Sequence, residues 1–358
     1  MIQVTKTYLP DFDTYVSFLK KAWDRAWITN HGPLVIELEE KLKEKLSIPN
    51  FLYTSNGTVV LQMALKVYGI TKEVVTTPFS YVATTNAILW ENCTPVFADI
   101  LPTSLCIDPD SIERKITENT QAILATHVYG YPCDVDKIET LANKYNLKVI
   151  YDAAHAFGAE YKGKSLLSFG DISTCSFHAT KIFHTVEGGC IVANDTEVYE
   201  KLKLMRSFGH IGDDYYCLGI NAKNSEFHAA MGLSIFPDIE NIIAKRKFII
   251  EHYKTKLSST HITFPQSELP FKSNYAYFPV LFNDENTLLK IRKALMNADV
   301  NTRRYFYPSL NNLPYIDEPV SCPNSDELSK RVLCLPLYYD LELDQIDNIS
   351  AIINSTLM

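Results

Sequence analysis

The feature that most narrows the fold is a rhythm. Between residues 73 and 196, short runs rich in Val, Ile and Leu alternate with stretches of helical spacing. EVVTTP (73–78) reads as a strand, SYVATTNAILWEN as a helix and TPVFADI as a second strand. TQAILATHVYG is a third strand, DVDKIETLANKYN a helix and LKVIYDAA a fourth strand, with STCSFHATK and GGCIVAND as two more. Strands apolar on both faces, separated by amphipathic helices, mark βαβ units and a parallel sheet covered on both sides. After Pro237 the pattern changes. PDIENIIAKRKFIIEHYKTKL reads as one long helix, followed by a strand (NYAYFPVLF) and a helix (NTLLKIRKALMNADV). The expected organisation is a large α/β domain over residues 1–236. A bridging helix and a smaller α+β domain follow over 237–358.

The 358 residues suffice for two such cores, and 46% hydrophobic residues is a globular level. The net charge of −8 has the wrong sign for a nucleic-acid backbone. No apolar run approaches the roughly 20 residues needed to cross a bilayer, and MIQVTKTYLPDFDTY does not read as a secretion signal. The eight cysteines form no C-x-x-C pair, as in a reducing compartment. A cytoplasmic protein is expected, with neither a nucleic-acid nor a membrane partner.

Three segments carry candidate chemistry. In SNGTVVLQMALKVYG, Ser55, Asn56, Gly57 and Thr58 precede a helix. Free N–H groups and the helix dipole at such a start suit a phosphate, although a plain N-cap accounts for the same residues. In VIYDAAHAFGA, Asp152 ends an apolar strand, where ligands of parallel sheets bind. A carboxylate there can keep a ring nitrogen protonated, or it can simply cap the next turn. His155 is a ring neighbour or a satisfied core histidine. In STCSFHATKIFHTVEGG, Ser176 ends a strand and Lys181 lies in the loop before the next. A partly desolvated lysine is a nucleophile toward aldehydes, whereas a solvated one is only a surface charge. His178 and His184 lack the companions of a zinc site, so no metal is expected.

Taken together, these pieces and Tyr81 follow the chain order of a fold-type I pyridoxal enzyme. The sequence resembles the DegT-type sugar-nucleotide aminotransferases over nearly its whole length. The resemblance lies in TNHGPLVIELEEKL (29–42), SNGTVVLQMAL, TTPFSYVATTNAI, HVYGYPCDVDKI, YDAAHAFGAEYKG, SFHATKIFHTVEGG and LGINAKNSEFHAAMGL. It implies pyridoxal 5'-phosphate held covalently on Lys181, the catalytic residue. It further implies Asp152 against the pyridine nitrogen, Tyr81 stacked on the ring and His155 beside it. Gly57, Thr58 and Ser176 would hold the phosphate. Asn221 would reach it from a neighbouring subunit, so a homodimer is implied.

FHATKIFHTVEGG, RSFGHIGDD and RRYFYPSLNNLPY are similar to the subset acting on dTDP-4-keto-6-deoxyglucose. That implies L-glutamate as amino donor and a dTDP-linked keto sugar as acceptor, aminated at carbon 4 for a surface polysaccharide. His31, His178, Lys223 and Arg303 are the candidate substrate contacts, with Arg304 a further cation for the diphosphate. Lys223 stands where many members carry Arg, and Asn311 where many carry His. Amination at carbon 3, or of a UDP or GDP sugar, is the alternative. Sugar dehydratases of this scaffold replace the lysine, which is present here. A ligand-binding regulator on the same fold is the remaining alternative.

Overall fold

The computed structural model describes residues 1–257, 261–316 and 320–357. Its centre is a seven-stranded sheet. The strands are β1 (Phe51–Thr54), β2 (Glu73–Thr76), β3 (Thr94–Phe97), β4 (Thr120–Thr126), β5 (Lys148–Asp152), β6 (Ile172–Ser176) and β7 (Gly189–Ala193). They lie in the order β1-β7-β6-β5-β4-β2-β3. From β3 to β6 every pairing is parallel, while β7 runs antiparallel to both β6 and β1. The six strands expected from the sequence are all present, and β1 is an addition.

The central strands carry apolar residues on both faces because both faces are covered. In β5, Val149 and Tyr151 enter one core and Ile150 the other; in β4, Ile123 and Ala125 oppose Ala122 and Leu124. This alternation follows from the two-residue period of a strand. The helix α1 (Gly57–Val67) covers the second face with Val60, Leu61, Ala64 and Leu65. The first face is covered in part by the helix Pro33–Leu46, through Leu34, Leu38 and Leu42. That helix starts on a buried carboxylate: Glu226 accepts from the Leu34 and Val35 N–H groups, both at 2.9 Å. A Cβ on Gly32 would lie 2.6 Å from the Glu226 carboxyl carbon, so a larger residue before the helix would push aside the carboxylate that caps it.

The long helix expected after Pro237 runs from Ile239 to Lys256. Its start, Ile239 and Ile242, packs into the main core; its end, Ile249, Ile250 and Tyr253, packs into a separate one. That second core lies on a three-stranded antiparallel sheet built from Ile262–Thr263, Pro279–Phe282 and Val332–Cys334. The helices Glu285–Asn297 and Leu343–Leu357 pack against it. The first residues of the chain return to this layer, where Ile2 pairs with Val300. Among the described residues no helix is long and apolar enough to cross a membrane.

Candidate active site

The carboxyl ends of β4, β5 and β6 open on one side of the sheet, and the candidate residues gather there. Asp152, the last residue of β5, is only 5% exposed. Its Oδ2 accepts from the Thr84 hydroxyl at 2.7 Å and its Oδ1 from the Ala154 N–H at 3.1 Å. Burial pushes its carboxyl above the usual value, and the Thr84 hydroxyl, the Ala154 N–H and the charge of Lys181 pull it back. Lys181 follows β6 in a loop and is half-buried. Its Nζ donates to the Tyr277 hydroxyl at 3.3 Å. Ala154, His155, Ser176, Thr180 and Tyr277 wall the space around it.

His155 is buried between two rings. It lies edge-on to Tyr277 at 4.8 Å and parallel to Phe306 at 5.5 Å. Its Nδ1 accepts from the Tyr129 N–H at 3.3 Å, which assigns the ring proton to Nε2. Burial, with the charge of Lys181 adding to it, holds this imidazole well below its usual pKa and therefore neutral.

The start of α1 closes the site from the sheet side. A Cβ on Gly57 would lie 2.7 Å from the Ser176 Cβ, so glycine alone lets the helix start and the end of β6 meet. The Asn56 side chain caps the helix, accepting from the Thr58 and Val59 N–H groups at 2.9 and 2.8 Å. Both readings of this segment are therefore compatible with it: an N-cap is formed, and the Ser176 side chain stands against the Gly57 backbone at the helix start.

Residues 13–354 match the DegT/DnrJ/EryC1/StrS aminotransferase family. The chain belongs to this family. It is an aminotransferase, and membership implies pyridoxal 5'-phosphate as cofactor. It is 39% identical to a dTDP-4-amino-4,6-dideoxy-D-glucose transaminase of Shigella dysenteriae, over 97% of each chain. A GDP-perosamine synthase of Escherichia coli O157:H7 is 32% identical over 94% of each. The crystal structure of DesI in the presence of its TDP-sugar product superposes with a TM-score of 0.93. That pair shares 30% identity, covering 99% of this chain and 92% of DesI.

For a member of the DegT family, the remaining candidate residues are placed unevenly. Tyr81 is 59% exposed, at the mouth of a cavity of about 390 Å³ that also includes Arg292, Arg303, Tyr305 and Tyr307. Arg303 is exposed and forms no ion pair among the described residues. Arg304 is engaged instead: it donates to Glu285 at 2.7 Å and to the Lys330 carbonyl at 3.1 Å, and lies over the Tyr307 ring. His31 Nε2 is 2.8 Å from Glu39, which also holds Arg206 at 2.7 Å. His178 is exposed, with Nδ1 2.9 Å from the Thr180 hydroxyl. Lys223 Nζ stands 4.7 Å from the Phe208 ring centroid, and its pKa is lowered by burial and by Arg206. Asn221 is exposed, but the carbonyl of the next residue, Ala222, accepts from the Ser55 N–H at 2.9 Å. Asn311 is buried on the Val320 carbonyl and Asp326.

Sequence reasoning did not reach Tyr277, Phe306, Tyr129 or Thr84. The doubled threonine after TTPFSYVA marks a polar helix start. Nothing in the sequence marks Tyr277.

Proposed function

We propose that the protein transfers an amino group from L-glutamate to carbon 4 of dTDP-4-dehydro-6-deoxy-D-glucose. The products are dTDP-4-amino-4,6-dideoxy-D-glucose and 2-oxoglutarate. The observation that carries this reading is the convergence of Lys181, Asp152 and the Gly57–Ser176 contact at one edge of the sheet. It occurs in a chain 39% identical to a transaminase named for that sugar.

The residues fit pyridoxal phosphate. The close approach at Gly57 joins a helix start to a strand-end hydroxyl, a fitting cradle for a phosphate. Asp152 is a buried carboxylate of the kind that pairs with a protonated ring nitrogen. Neutral His155 can lie against an aromatic ring without repelling its positive nitrogen. Lys181 would hold the group covalently, with Tyr81 stacked on it and Gly57, Thr58 and Ser176 at the phosphate. When bound, it supplies an electrophilic carbon for amine exchange and an electron sink for the deprotonated substrate. Asp152 would keep the ring nitrogen charged throughout. Lys181 Nζ would take the proton from the α-carbon of L-glutamate and, in the second half, deliver one to carbon 4 of the sugar. Two substrates used in succession give ping-pong kinetics.

Arg303 is a candidate cation for the diphosphate, being exposed on the cavity that includes Tyr81 and forming no ion pair among the described residues. His31, His178 and Lys223 remain weaker candidates for the substrate. A homodimer is supported by the apolar side chains around Asn221: Ile211, Tyr215, Tyr216, Leu218 and Ile220 are all exposed in the single chain. Asn221 would reach the partner's phosphate site from there, in a cytoplasmic enzyme.

The test is direct. Borohydride reduction of the yellow holoprotein should label the peptide containing Lys181, and Lys181→Ala should lose turnover. Incubation with L-glutamate and a panel of dTDP, UDP and GDP keto sugars should give the 4-amino dTDP sugar, identified by mass and NMR. A different aminated sugar would move the substrate assignment while leaving the enzyme class. A colourless protein with no labelled lysine would remove both.

A further inference from the structure

A line of three hydroxyls leads from Asp152 into the protein. Thr84 Oγ1 lies 2.7 Å from Asp152 Oδ2, Ser80 Oγ 2.8 Å from Thr84 Oγ1, and Thr126 Oγ1 3.1 Å from Ser80 Oγ. All three residues are buried, at 0%, 1% and 0% exposure respectively. They come from separate places: Thr84 from the first turn of the helix Ala83–Trp90, Ser80 from the loop after β2, and Thr126 from the end of β4.

Proton counting fixes the order. Each hydroxyl has a single proton to donate. An ionised Asp152 only accepts, so Thr84 must donate to it. Ser80 must then donate to Thr84, and Thr126 to Ser80. All three dipoles point at the carboxylate, and each bond polarises the next. A protonated Asp152 would donate to Thr84 and reverse the line. Apart from this line, the Ala154 N–H is the other donor to the Asp152 carboxylate among the described residues. The charged group that acts on it is Lys181. Burial denies the carboxylate the water that would otherwise stabilise its charge.

We infer that Thr84, backed by Ser80 and Thr126, is a positioning residue that keeps Asp152 in its charged form and aims Oδ1 and Oδ2. For catalysis this rests on the reading of Asp152 as the ring-nitrogen partner. Its effect on Asp152 does not depend on a bound cofactor.

The test begins with the apoprotein. Infrared spectra of protein carrying ¹³C-carboxyl aspartate, taken as differences from Asp152→Asn, isolate the Asp152 carboxyl band and its titration. Thr84→Val should move the midpoint upward by about one pH unit or more. It should also weaken pyridoxal phosphate binding by ~10-fold or more and lower kcat while leaving KM for the sugar unchanged. Thr84→Ser should restore all three. Ser80→Ala should shift the midpoint in the same direction by less, and it decides the matter where the valine variant does not fold. An unchanged midpoint in a folded variant overturns the inference. A shifted midpoint in a protein that takes up no cofactor supports the hydroxyl line and overturns the cofactor assignment.

Discussion

Lys181 and Tyr277 meet across 96 residues of sequence, with the lysine Nζ 3.3 Å from the phenol oxygen. Tyr277 is also the ring that stands edge-on to His155. One side chain therefore touches both the amine and the imidazole of the site. A lysine has four rotatable bonds, and a single hydrogen bond at its tip narrows where the amine points. Tyr277→Phe keeps the ring contact and removes the oxygen. It should lower kcat by about 10-fold or more and change the melting temperature little. Steady-state rates with a thermal melt on the same sample check this. An unchanged kcat would show that the phenol does not orient Lys181.

Asp152 sets function against stability. Burial raises its carboxyl pKa in the folded chain, so the folded state holds its proton more tightly than the unfolded state. Stability therefore falls as pH rises from the ordinary aspartate value through the raised one, and above that the apoprotein carries the cost of an ionised buried carboxyl. Asp152→Asn removes that cost. The amide can keep its oxygen on the Ala154 N–H and turn its nitrogen to Thr84, which then donates onward to Ser80. The variant apoprotein should melt on the order of 1–3 °C higher than wild type at pH 7. The gap should close below the ordinary aspartate range, and transamination should be lost. A variant that melts lower at pH 7 would mean the carboxylate is net stabilising where it sits.

The parts of this molecule legible in the sequence are those in which a local pattern and a global demand coincide. β4 and β5 are apolar on both faces because they are covered on both faces, and their runs of Ile, Leu, Ala and Val say so. Asp152 and Ser176 could be placed because ligands of parallel sheets collect at strand ends. β1 escaped because FLYT has no run of Val or Ile, although Pro49-Asn50 before it and Ser55-Asn56-Gly57 after it are turn signals. Tyr277 and the Thr84 line escaped for a different reason. Their bonds span 96 and 68 residues and depend on how layers pack, which no window of sequence contains. His31 and Arg304 meet partners that the sequence does not disclose. Each is a plausible ligand by type, but each meets an acid, Glu39 or Glu285, that only the fold identifies.

Arg303 and Arg304 are adjacent, and their side chains should separate cleanly by experiment. Arg304 is 10% exposed on Glu285 and covers Tyr307. Both arginines line the cavity that holds Tyr81, but Arg303 is exposed and forms no ion pair among the described residues. Arg303→Ala should raise KM for the nucleotide sugar by about 10-fold, the weight of a charge-assisted contact to phosphate, with an unchanged melting temperature. Arg304→Ala should lower stability by about 1–3 kcal/mol in urea while KM changes little in the protein that stays folded. Exchanged phenotypes would reverse the two assignments.

The cofactor end of the site is tied to a charge cluster outside it. Glu39 is buried and holds the Arg206 guanidinium, the His31 ring and the Tyr53 N–H at 2.7, 2.8 and 2.8 Å. Arg206 also donates to the Tyr53 carbonyl at 2.8 Å. Tyr53 lies in β1, two residues before Ser55, so both of its backbone groups are fixed just ahead of the turn into α1. Burial pushes the Glu39 carboxyl up, but its bond to His31, the charges of Arg206 and His31 and the Tyr53 N–H outweigh that and hold it below its ordinary value. Its stabilisation is thus complete above the ordinary glutamate range and is lost as pH falls through the lowered value. Glu39→Gln leaves Arg206 buried without its counter-charge and should cost about 3–5 kcal/mol at pH 7. As pH falls through the lowered value the wild-type carboxyl protonates, and the gap between the two proteins should narrow. Urea midpoints at pH 7, 5, 4 and 3 check this. A constant gap across that range would mean that the carboxylate charge is not what secures β1, and that the turn into α1 is held by shape alone.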